Sequence, residues 1–505
     1  MSVHSSAYQS DAATSQRPFY GWAIATICMF SRLVKCQGQN NLMAYTVPHL
    51  LKDLRVTGGE LGILFSIGTI SSSLMQPFLG RTVDRFGARI CVPAAHVALT
   101  ITFCGFSALK FMSTKAFVYA QVVMSFLFIR SLCLGALEIF SSACLQKWFV
   151  RRRGRALTAV GTAQALGISL MGLLVAWLVN HYSWRVAAQA GAFLNFIMIF
   201  ITGLLLRSDP RDCGLLPDGD EVVVKTSSAH DCTSSNGDVK EGEGVSLVPQ
   251  PAVSLPTASE ELPSGFWPFY MFSFCYSVVY GASDFYMVGI VAESQGLSGH
   301  IDVAKQIFAP LAVVQGVMTI AVGEAMDRCR SIEVSFLLLG FCGLAGCIAT
   351  NILGFASTPL AAFTYAILRG LSFSIQFALL NSGLIFATMG VTPDRIGHVL
   401  GKNSLAGIAG TGVGPLCYGI ANDALGTFKS SLQVSSSPLL LLGCIFLVRA
   451  CRTWAVRRRT LPEEEAKEYP AAIFGKSGET FDELSPVDLE PEMSSVDLEP
   501  EMPSR

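Results

Sequence analysis

The stretch Gly80-Arg-Thr-Val-Asp-Arg-Phe-Gly-Ala-Arg89 lies between two apolar runs and decides the fold prediction. A second and fainter copy, Gly323-Glu-Ala-Met-Asp-Arg-Cys-Arg330, follows later in the chain. Three pairs of matching residues are each 243 positions apart: Gly80 with Gly323, Asp84 with Asp327, and Arg85 with Arg328. Self-similarity at one long period indicates an internal repeat. The sequence therefore predicts two related halves, each with this loop after its second apolar run.

Composition places the chain among the polytopic membrane proteins. Of its 505 residues, 51% are hydrophobic and 14% are charged, whereas soluble domains carry about 25% charged residues. About 20 helical residues cross a bilayer core. Runs of suitable length and polarity occupy 21–47, 60–80, 90–111, 116–146, 154–180, 184–207, 265–293, 304–325, 333–354, 359–389, 397–424 and 431–450. We therefore expect an all-α protein whose twelve transmembrane helices form two pseudo-symmetric six-helix bundles.

The positions of the basic residues predict the orientation. Arginine is concentrated in the loops at 81–89, 151–155 and 328–330, and loops rich in Lys and Arg favour the cytoplasmic side. We expect a multi-pass protein with both termini in the cytoplasm and with the plasma membrane as the default location. The segments outside the apolar runs are polar, which predicts tails and a linker without a packed core. The expected divisions are an N-terminal tail at 1–20, a first bundle at 21–207, a flexible linker at 208–264, a second bundle at 265–450 and a disordered acidic tail at 451–505.

Several segments carry a family resemblance. The pattern Gly80-x-x-x-Asp84-Arg85-x-Gly87-x-Arg89 resembles the signature loop of major facilitator superfamily transporters, and Arg130 with Gly135 resembles their fourth-helix signature. Other segments are similar to the monocarboxylate and oxalate/formate porters, namely Arg17–Trp22, Lys147–Ala156, Ser183–Arg185 and Cys213–Gly219. The resemblance extends over all twelve runs. It implies an alternating-access secondary transporter, functional as a monomer, that moves a small monocarboxylate-like organic anion with proton symport.

Charged and amide side chains inside the apolar runs are the candidate substrate site. A charge at the bilayer centre costs about 2.5–3.5 kcal/mol on insertion scales, so it usually faces a cavity or a partner. The candidates are Arg32, Lys35, Gln39, Asn40, Arg130 and Arg369, with Lys402 at a possible cavity mouth. Guanidiniums from opposite halves can hold one carboxylate, because the planar fork pairs bidentately. The alternative is structural: Arg32 ties two helices together, and Arg130 binds a neighbouring helix.

Two acids in the apolar runs, Asp284 and Glu138, are candidate proton-coupling residues. Burial disfavours an ionised carboxyl group and a nearby cation favours it, so binding an anion beside one changes its proton affinity. The alternative is a fixed salt bridge, which would join Asp284 to Arg32 or Lys35, and Glu138 to Arg130. Because the intramembrane cations outnumber the acids, we expect a net positive cavity, which favours an organic anion.

Three functions stay open at this point. Monocarboxylate symport follows the resemblance, whereas a dicarboxylate or anion exchanger would need cations from both halves and no proton acid. A transporter-like receptor or scaffold that signals through the acidic tail to an unknown partner belongs to another class. Neither enzyme activity nor a metal, a cofactor or a nucleic-acid partner is expected, so the predicted partners are the substrate, protons and the bilayer.

The repeated loop has a predicted gating role. Its members are Gly80, Asp84, Arg85, Gly87 and Arg89 in the first copy and Gly323, Asp327 and Arg328 in the second. The glycines allow helices to approach closely. Asp84 can accept hydrogen bonds from a helix N-terminus in the other half, near Gly397. Because the second copy lacks the later glycine, we expect the second contact to matter less than the first.

Overall fold

The computed structural model describes residues 19–39, 46, 49–110, 114–219, 266–293, 307–329, 331–356, 358–425 and 427–460. Within these ranges the chain is helical and contains no strand. Long helices occupy the predicted positions: α1 (Tyr20–Lys35), α2 (Gly58–Ser73 continued by Gln76–Phe86), α3 (Ala88–Ser107), α4 (Lys115–Trp148), α5 (Arg153–His181), α6 (Trp184–Leu205), α7 (Trp267–Phe285), α8 (Phe308–Cys329), α9 (Ile332–Gly354), α10 (Pro359–Asn381), α11 (Ile396–Leu425) and α12 (Phe428–Thr460). Nine helices of this described part are long and apolar enough to cross a membrane.

Polar caps define several helix starts. The Thr57 hydroxyl accepts a hydrogen bond from the Glu60 backbone N–H at 3.2 Å, and the Glu60 carboxylate accepts one from the Thr57 N–H at 2.7 Å. This capping box satisfies two donors that a helix start otherwise leaves unpaired. Ser183, Ser331 and Thr358 cap α6, α9 and α10 through their hydroxyl oxygens. Short polar residues ahead of the apolar runs therefore set where these helices begin.

The molecule has apolar residues outside and charged residues inside. Leu173 in α5 and Leu360 in α10 are 72% and 75% exposed, whereas Arg32, Lys35 and Arg130 are at most 1% exposed. In a soluble protein this distribution would be unfavourable, because large apolar side chains would face water and charged side chains would be buried away from it. A hydrocarbon surrounding explains the exposed leucines, and the buried cations then need partners inside the helix bundle.

The most extensive contacts between the first six helices and the last six, within the described residues, are those of α2 with α11 and of α5 with α8. At the first crossing, a Cβ atom on Gly80 would lie 2.1 Å from the Gly397 carbonyl oxygen. At the second, a Cβ atom on Gly154 would lie 2.2 Å from the Gly323 carbonyl oxygen. Both distances are far below van der Waals contact, so glycine is what allows these backbones to touch.

Two π-helical turns interrupt helices that the sequence predicts as continuous. One is Ser131–Ala136 within α4, and the other is Phe377–Asn381 within α10. They occupy similar places in the two halves. A π turn inserts an extra residue, rotates the residues that follow it and is often found at functional sites.

The described part also refines the predicted boundaries. The first helix ends at Lys35, before the predicted end at 47, and the last helix continues to Thr460, past the predicted end at 450. The beginning of the predicted linker is structured, because Pro210–Cys213 and Pro217–Gly219 form single helical turns. Asp218 there accepts hydrogen bonds from the backbone N–H groups of Val150, Arg151 and Arg152. Residues 1–18, 220–265 and 461–505 lie outside the described residues, so the predictions about them stay predictions.

Candidate functional site

A cavity of about 160 Å³ lies between the two halves. Its wall is formed by Gln39, which follows α1, by α4 and α5 of the first half, and by α7, α10 and α11 of the second. The charged side chains in that wall are Arg369, Asp284 and Glu138. Around them are the polar or aromatic side chains of Gln39, Gln164, Tyr276, Ser277, Tyr280, Phe373, Gln376, Asn381, Asn403, Ser404 and Thr411. The predicted net positive cavity is wrong for this conformation, because one cation and two acids of the described residues line it.

Arg369 and Asp284 form an ion pair across the cavity wall. The Arg369 Nη2 donates to Asp284 Oδ2 at 2.8 Å, and the guanidinium lies 4.6 Å from the ring centroid of Tyr280. The side chains are 5% and 14% exposed. Arg369 Nε and Asp284 Oδ1 find no hydrogen-bond partner among the described residues. The guanidinium has five N–H donors, and the Asp284 contact uses one of them.

Glu138 holds two buried cations of α1. Its Oε2 accepts from Lys35 Nζ at 2.7 Å, and its Oε1 lies 3.5 Å from Arg32 Nη1. Arg32 also donates to the Glu138 carbonyl oxygen and to Ser142 Oγ, each at 2.7 Å. The guanidinium of Arg32 donates to Gln164 Oε1 at 3.3 Å. Arg32 and Lys35 therefore point at α4 and α5, and neither lines the cavity.

Both salt bridges considered from the sequence are corrected by these contacts. Asp284 pairs with Arg369, not with Arg32 or Lys35, and Glu138 pairs with the α1 cations, not with Arg130. Asp284 and Arg369 stand on adjacent helices of the second half. Glu138 follows the π turn of α4, which changes the direction in which residues after Ala136 face. The rotation of each helix about its axis determines which cation each carboxylate meets, and position along the sequence does not reveal that rotation.

Arg130 is buried at the end of the first segment of α4. Its Nη1 donates to the Gly38 carbonyl oxygen at 3.0 Å, and its guanidinium lies 4.5 Å from the ring centroid of Phe65. Nε and Nη2 have no partner among the described residues. Arg130 contacts the end of α1 and does not line the cavity, which agrees with the structural alternative.

The remaining predicted substrate and cavity-mouth residues differ in whether they line the cavity. Gln39 lines the cavity, as predicted. Lys402 is half-buried and is not a lining residue, although its neighbour Asn403 is. Asn40 lies outside the described residues.

Several lining residues were missed by the sequence reasoning. Asn403 donates to the Leu380 carbonyl oxygen and accepts from Ser273 Oγ, and Gln376 donates to Asn381 Oδ1 at 2.9 Å. Their signal was available, because these are amides inside apolar runs of the second half. The amides predicted from the sequence, Gln39 and Asn40, are both in the first run. The tyrosines and Phe373 of the wall carry no such signal, since aromatic residues are common in apolar helices.

At one end of the molecule two carboxylates cap helices of the opposite half, and we call these contacts the two latches. In the first latch, Asp84 accepts from the Gly397 and His398 backbone N–H groups at 2.9 and 2.7 Å, at the start of α11. In the second, Asp327 accepts from the Gly154 and Arg155 backbone N–H groups at 2.6 and 2.8 Å. Negative charge at a helix N-terminus is favourable. Both repeats therefore use their aspartate in the same way.

The other members of the two repeated segments lie around the latches. The prediction that these segments are loops is wrong, because residues 80–86 belong to α2 and residues 323–329 belong to α8. Gly80 and Gly323 are at the close crossings, and Gly87 has a positive φ of 74° between α2 and α3. Arg328 donates to Glu324 at 3.0 Å, and Arg155 makes a bidentate pair with the same carboxylate. Arg85 lies over the Phe86 ring and the Arg89 backbone donates to Ser208 Oγ. The expected weakness of the second latch is not supported, because ion pairs flank it despite its missing glycine.

One carboxylate outside the membrane-spanning segments has a shifted pKa. Asp53, within 49–54, accepts hydrogen bonds from Trp184 Nε1 and Arg185 Nη1, and these lower the pKa of Asp53, the Trp184 bond most. Arg185 also donates to the Leu109 carbonyl oxygen at 3.0 Å. These bonds fasten the start of α6 at the end of the molecule away from the latches. Within the described ranges, no group of His, Cys, Asp and Glu side chains forms a metal site.

Comparison with known proteins adds a family and several relatives. A family model described as Major Facilitator Superfamily matches residues 28–415. The gallate transporter of Pseudomonas putida is 26% identical over 195 residues, which are 38% of this chain and 41% of that protein. The 4-hydroxybenzoate transporter PcaK of Acinetobacter baylyi is 26% identical over 219 residues, which are 42% and 44% of the two chains. The chain thus spans about two fifths of the length of these curated relatives.

Solved structures resemble the fold over most of the chain. The structure of the proton:xylose symporter XylE bound to 6-bromo-6-deoxy-D-glucose superposes with a TM-score of 0.62 at 12% identity. The match covers 86% of this chain and 95% of that one. At this identity the likeness concerns the arrangement of the helices, and not the substrate.

Proposed function

Because the chain belongs to the Major Facilitator Superfamily, we propose that this multi-pass membrane transporter moves small organic acids, aromatic acids among them, by alternating access. The proposed binding site is the cavity between the halves. Arg369 would hold the substrate carboxylate, and Asp284 would be the exchangeable counter-ion that couples transport to protons. The narrower resemblance to monocarboxylate and oxalate/formate porters stays a prediction within this proposal.

The observation that carries the proposal is the incompletely satisfied Arg369–Asp284 pair. A guanidinium can pair with a carboxylate through two parallel N–H···O bonds, but only one short contact, of 2.8 Å, joins this pair. Arg369 Nε stays without a partner among the described residues. A substrate carboxylate can accept from other N–H groups of the guanidinium while Asp284 keeps its contact with Nη2.

The wall of the cavity favours a small ligand with an apolar body. Tyr276, Tyr280 and Phe373 supply aromatic surface beside Arg369. A volume of about 160 Å³ lies below the roughly 300–1,000 Å³ of drug-sized pockets. The names of the curated relatives, transporters of gallate and 4-hydroxybenzoate, point in the same direction. Amides such as Gln376 and Asn403 would serve hydroxyl groups on a ring.

Proton coupling would follow if the substrate carboxylate and Asp284 both bind the guanidinium of Arg369. A substrate anion beside Asp284 raises the local negative charge, and like charges within a few ångströms favour protonation of one of them. Binding an anion and binding a proton therefore reinforce each other. A dicarboxylate exchanger is less well supported, because Arg32 and Lys35 are occupied by Glu138 and no cation among the described residues of the first half lines the cavity.

The latches supply the second requirement of alternating access. They hold α2 against α11 and α5 against α8 at the end predicted to be cytoplasmic. Opening that end requires both aspartates to leave the backbone donors they cap, and substrate-driven rearrangement of the halves would provide the energy. The repeated segments would thus act as a gate, whereas Arg369 and Asp284 would act as the binding site.

The test is uptake into proteoliposomes of labelled 4-hydroxybenzoate, lactate, succinate and xylose, with and without an inward proton gradient. We expect saturable, gradient-stimulated uptake of a monoacid that Arg369→Ala abolishes and the exposed-arginine control Arg452→Ala leaves intact. Asp284→Asn should lose gradient stimulation and keep exchange of labelled for unlabelled substrate. Transport of xylose alone would refute the anion proposal. Strong exchange without a pH effect in the unmodified protein would favour the exchanger.

The receptor or scaffold alternative needs its own measurement, because a transporter-like receptor can bind a carboxylate without moving it. A chain ending at Thr460 should keep its uptake if transport is the function. Substrate binding without uptake, in the full-length and shortened proteins alike, would favour the receptor.

A further inference from the structure

The second latch has a cavity of its own, separate from the one between the halves. It measures about 300 Å³ and is lined by Arg151, Arg152, Arg155, Asp327 and Arg328. Three of these arginines belong to the connection between α4 and α5 and the first turn of α5, and the fourth is at the end of α8. The cavity is therefore built by both halves of the molecule, and we call it the arginine cavity.

The latch itself does not require this concentration of arginine. At the repeat spacing of 243 positions, Arg151, Arg152 and Arg155 correspond to residues beside the first latch, namely Asp394, Arg395 and His398. The first latch makes the same pair of backbone hydrogen bonds with those residues beside it. Arg155 and Arg328 contribute to closure through Glu324, but the Arg152 guanidinium makes no such contact among the described residues, so closure does not explain it.

The local structure leaves net positive charge facing this cavity. The Asp327 carboxylate is occupied by two backbone N–H groups of α5. Arg155 and Arg328 share one carboxylate, that of Glu324. Asp218 accepts from the backbone N–H of Arg152, which fixes that turn, and the Arg152 side chain is exposed.

We propose that the arginine cavity binds a phosphomonoester group, carried by a lipid headgroup or by a soluble phosphate compound. A phosphate dianion carries more charge than a carboxylate and offers three acceptor oxygens to several forks at once. Because the walls come from both halves, a bound phosphate stabilises the conformation in which the second latch is closed. Its binding energy is lost when the halves separate at this end, so it shifts the population toward closure.

The experiment measures thermal unfolding of the full-length protein in phosphatidylcholine nanodiscs. One arm contains phosphatidylinositol 4-phosphate, a second adds soluble inositol 1,4-bisphosphate, and a third contains phosphatidylserine as an anionic lipid without a phosphomonoester. We expect the phosphomonoester probes to raise the midpoint, since a ligand that binds only the folded state stabilises it. A response to the lipid alone identifies the headgroup as the source, and a response to both identifies the phosphate group itself.

Arg152→Gln is the decisive variant, and Arg395→Gln at the equivalent position beside the first latch is its matched control. Arg152→Gln should weaken the apparent affinity for the phosphomonoester about tenfold, while Arg395→Gln should retain it. No shift with either phosphomonoester, an equal shift with phosphatidylserine, or equal losses in the two variants would overturn the proposal. A shift produced only by a synthetic peptide of residues 487–502 would also overturn it, in favour of docking by the acidic tail.

Discussion

Replacing Glu138 by glutamine tests the buried ion cluster of the first half most directly. In the native protein one carboxylate, 11% exposed, faces Lys35 at 2.7 Å and Arg32 at 3.5 Å, and these cations are 0% and 1% exposed. At an effective dielectric constant of about 20, unit charges at these separations attract by roughly 6 and 5 kcal/mol before desolvation is counted. The substitution leaves two buried cations facing each other without a counter-ion.

We expect Glu138→Gln to lower the free energy of unfolding by about 3–5 kcal/mol, the range for removing one partner from a buried pair. Lys35→Met should cost no more than about 1 kcal/mol, because it leaves Glu138 and Arg32 as a one-to-one pair. The double variant Lys35→Met/Glu138→Gln should recover about 2 kcal/mol relative to Glu138→Gln, because it leaves one uncompensated cation instead of two.

The assay is denaturant unfolding in detergent micelles, followed by tryptophan fluorescence, for the three variants and a control. The control is Glu333→Gln, because Glu333 is also buried but pairs with a half-exposed Arg457 at 3.4 Å. We expect that variant to lose less than about 1 kcal/mol. Equal losses in Glu138→Gln and Glu333→Gln, or no recovery in the double variant, would refute the reasoning.

Three further predictions concern the latches, a helix crossing and a surface carboxylate. Asp84→Asn and Asp327→Asn should slow transport turnover to similar extents, within about threefold, because each carboxylate accepts two charge-assisted hydrogen bonds; a much larger effect of one would show unequal latches. Gly80→Ala should destabilise the closed conformation, because the added Cβ would lie 2.1 Å from a carbonyl oxygen of α11. Gly62→Ala in the same helix is the control: its Cβ would have no atom within 4 Å, so it should raise the free energy of unfolding by up to about 1 kcal/mol. The lowered pKa of Asp53 means that its stabilising contribution is complete above the ordinary aspartate value of about 4 and is lost as pH falls through the lower folded-state value. Melting between pH 6 and pH 3 should therefore fall less steeply in Asp53→Asn, and parallel curves would contradict this.

The sequence was sufficient for features that depend on local composition or on repetition. Each helix was predictable because a run of about 20 apolar residues can satisfy its backbone only as a helix in lipid. The duplication was visible in the 243-residue spacing that relates Gly80 to Gly323 and Asp84 to Asp327. The partner of Asp84 was also predictable, because an aspartate at the end of an apolar run can accept hydrogen bonds from a helix start in the other half.

Only the tertiary structure decided which buried charges meet. Position along a helix gives the depth of Arg32, Glu138 or Arg369 in the membrane, but not the direction in which the side chain points relative to other helices. The π turns of α4 and α10 add a rotation that no apolar pattern records. As a result Arg32 and Lys35 turn to Glu138, Asp284 turns to Arg369, and the cavity receives one cation instead of several. Hydrophobicity determines how many helices cross and where, whereas their rotation and close packing determine which polar groups share a site.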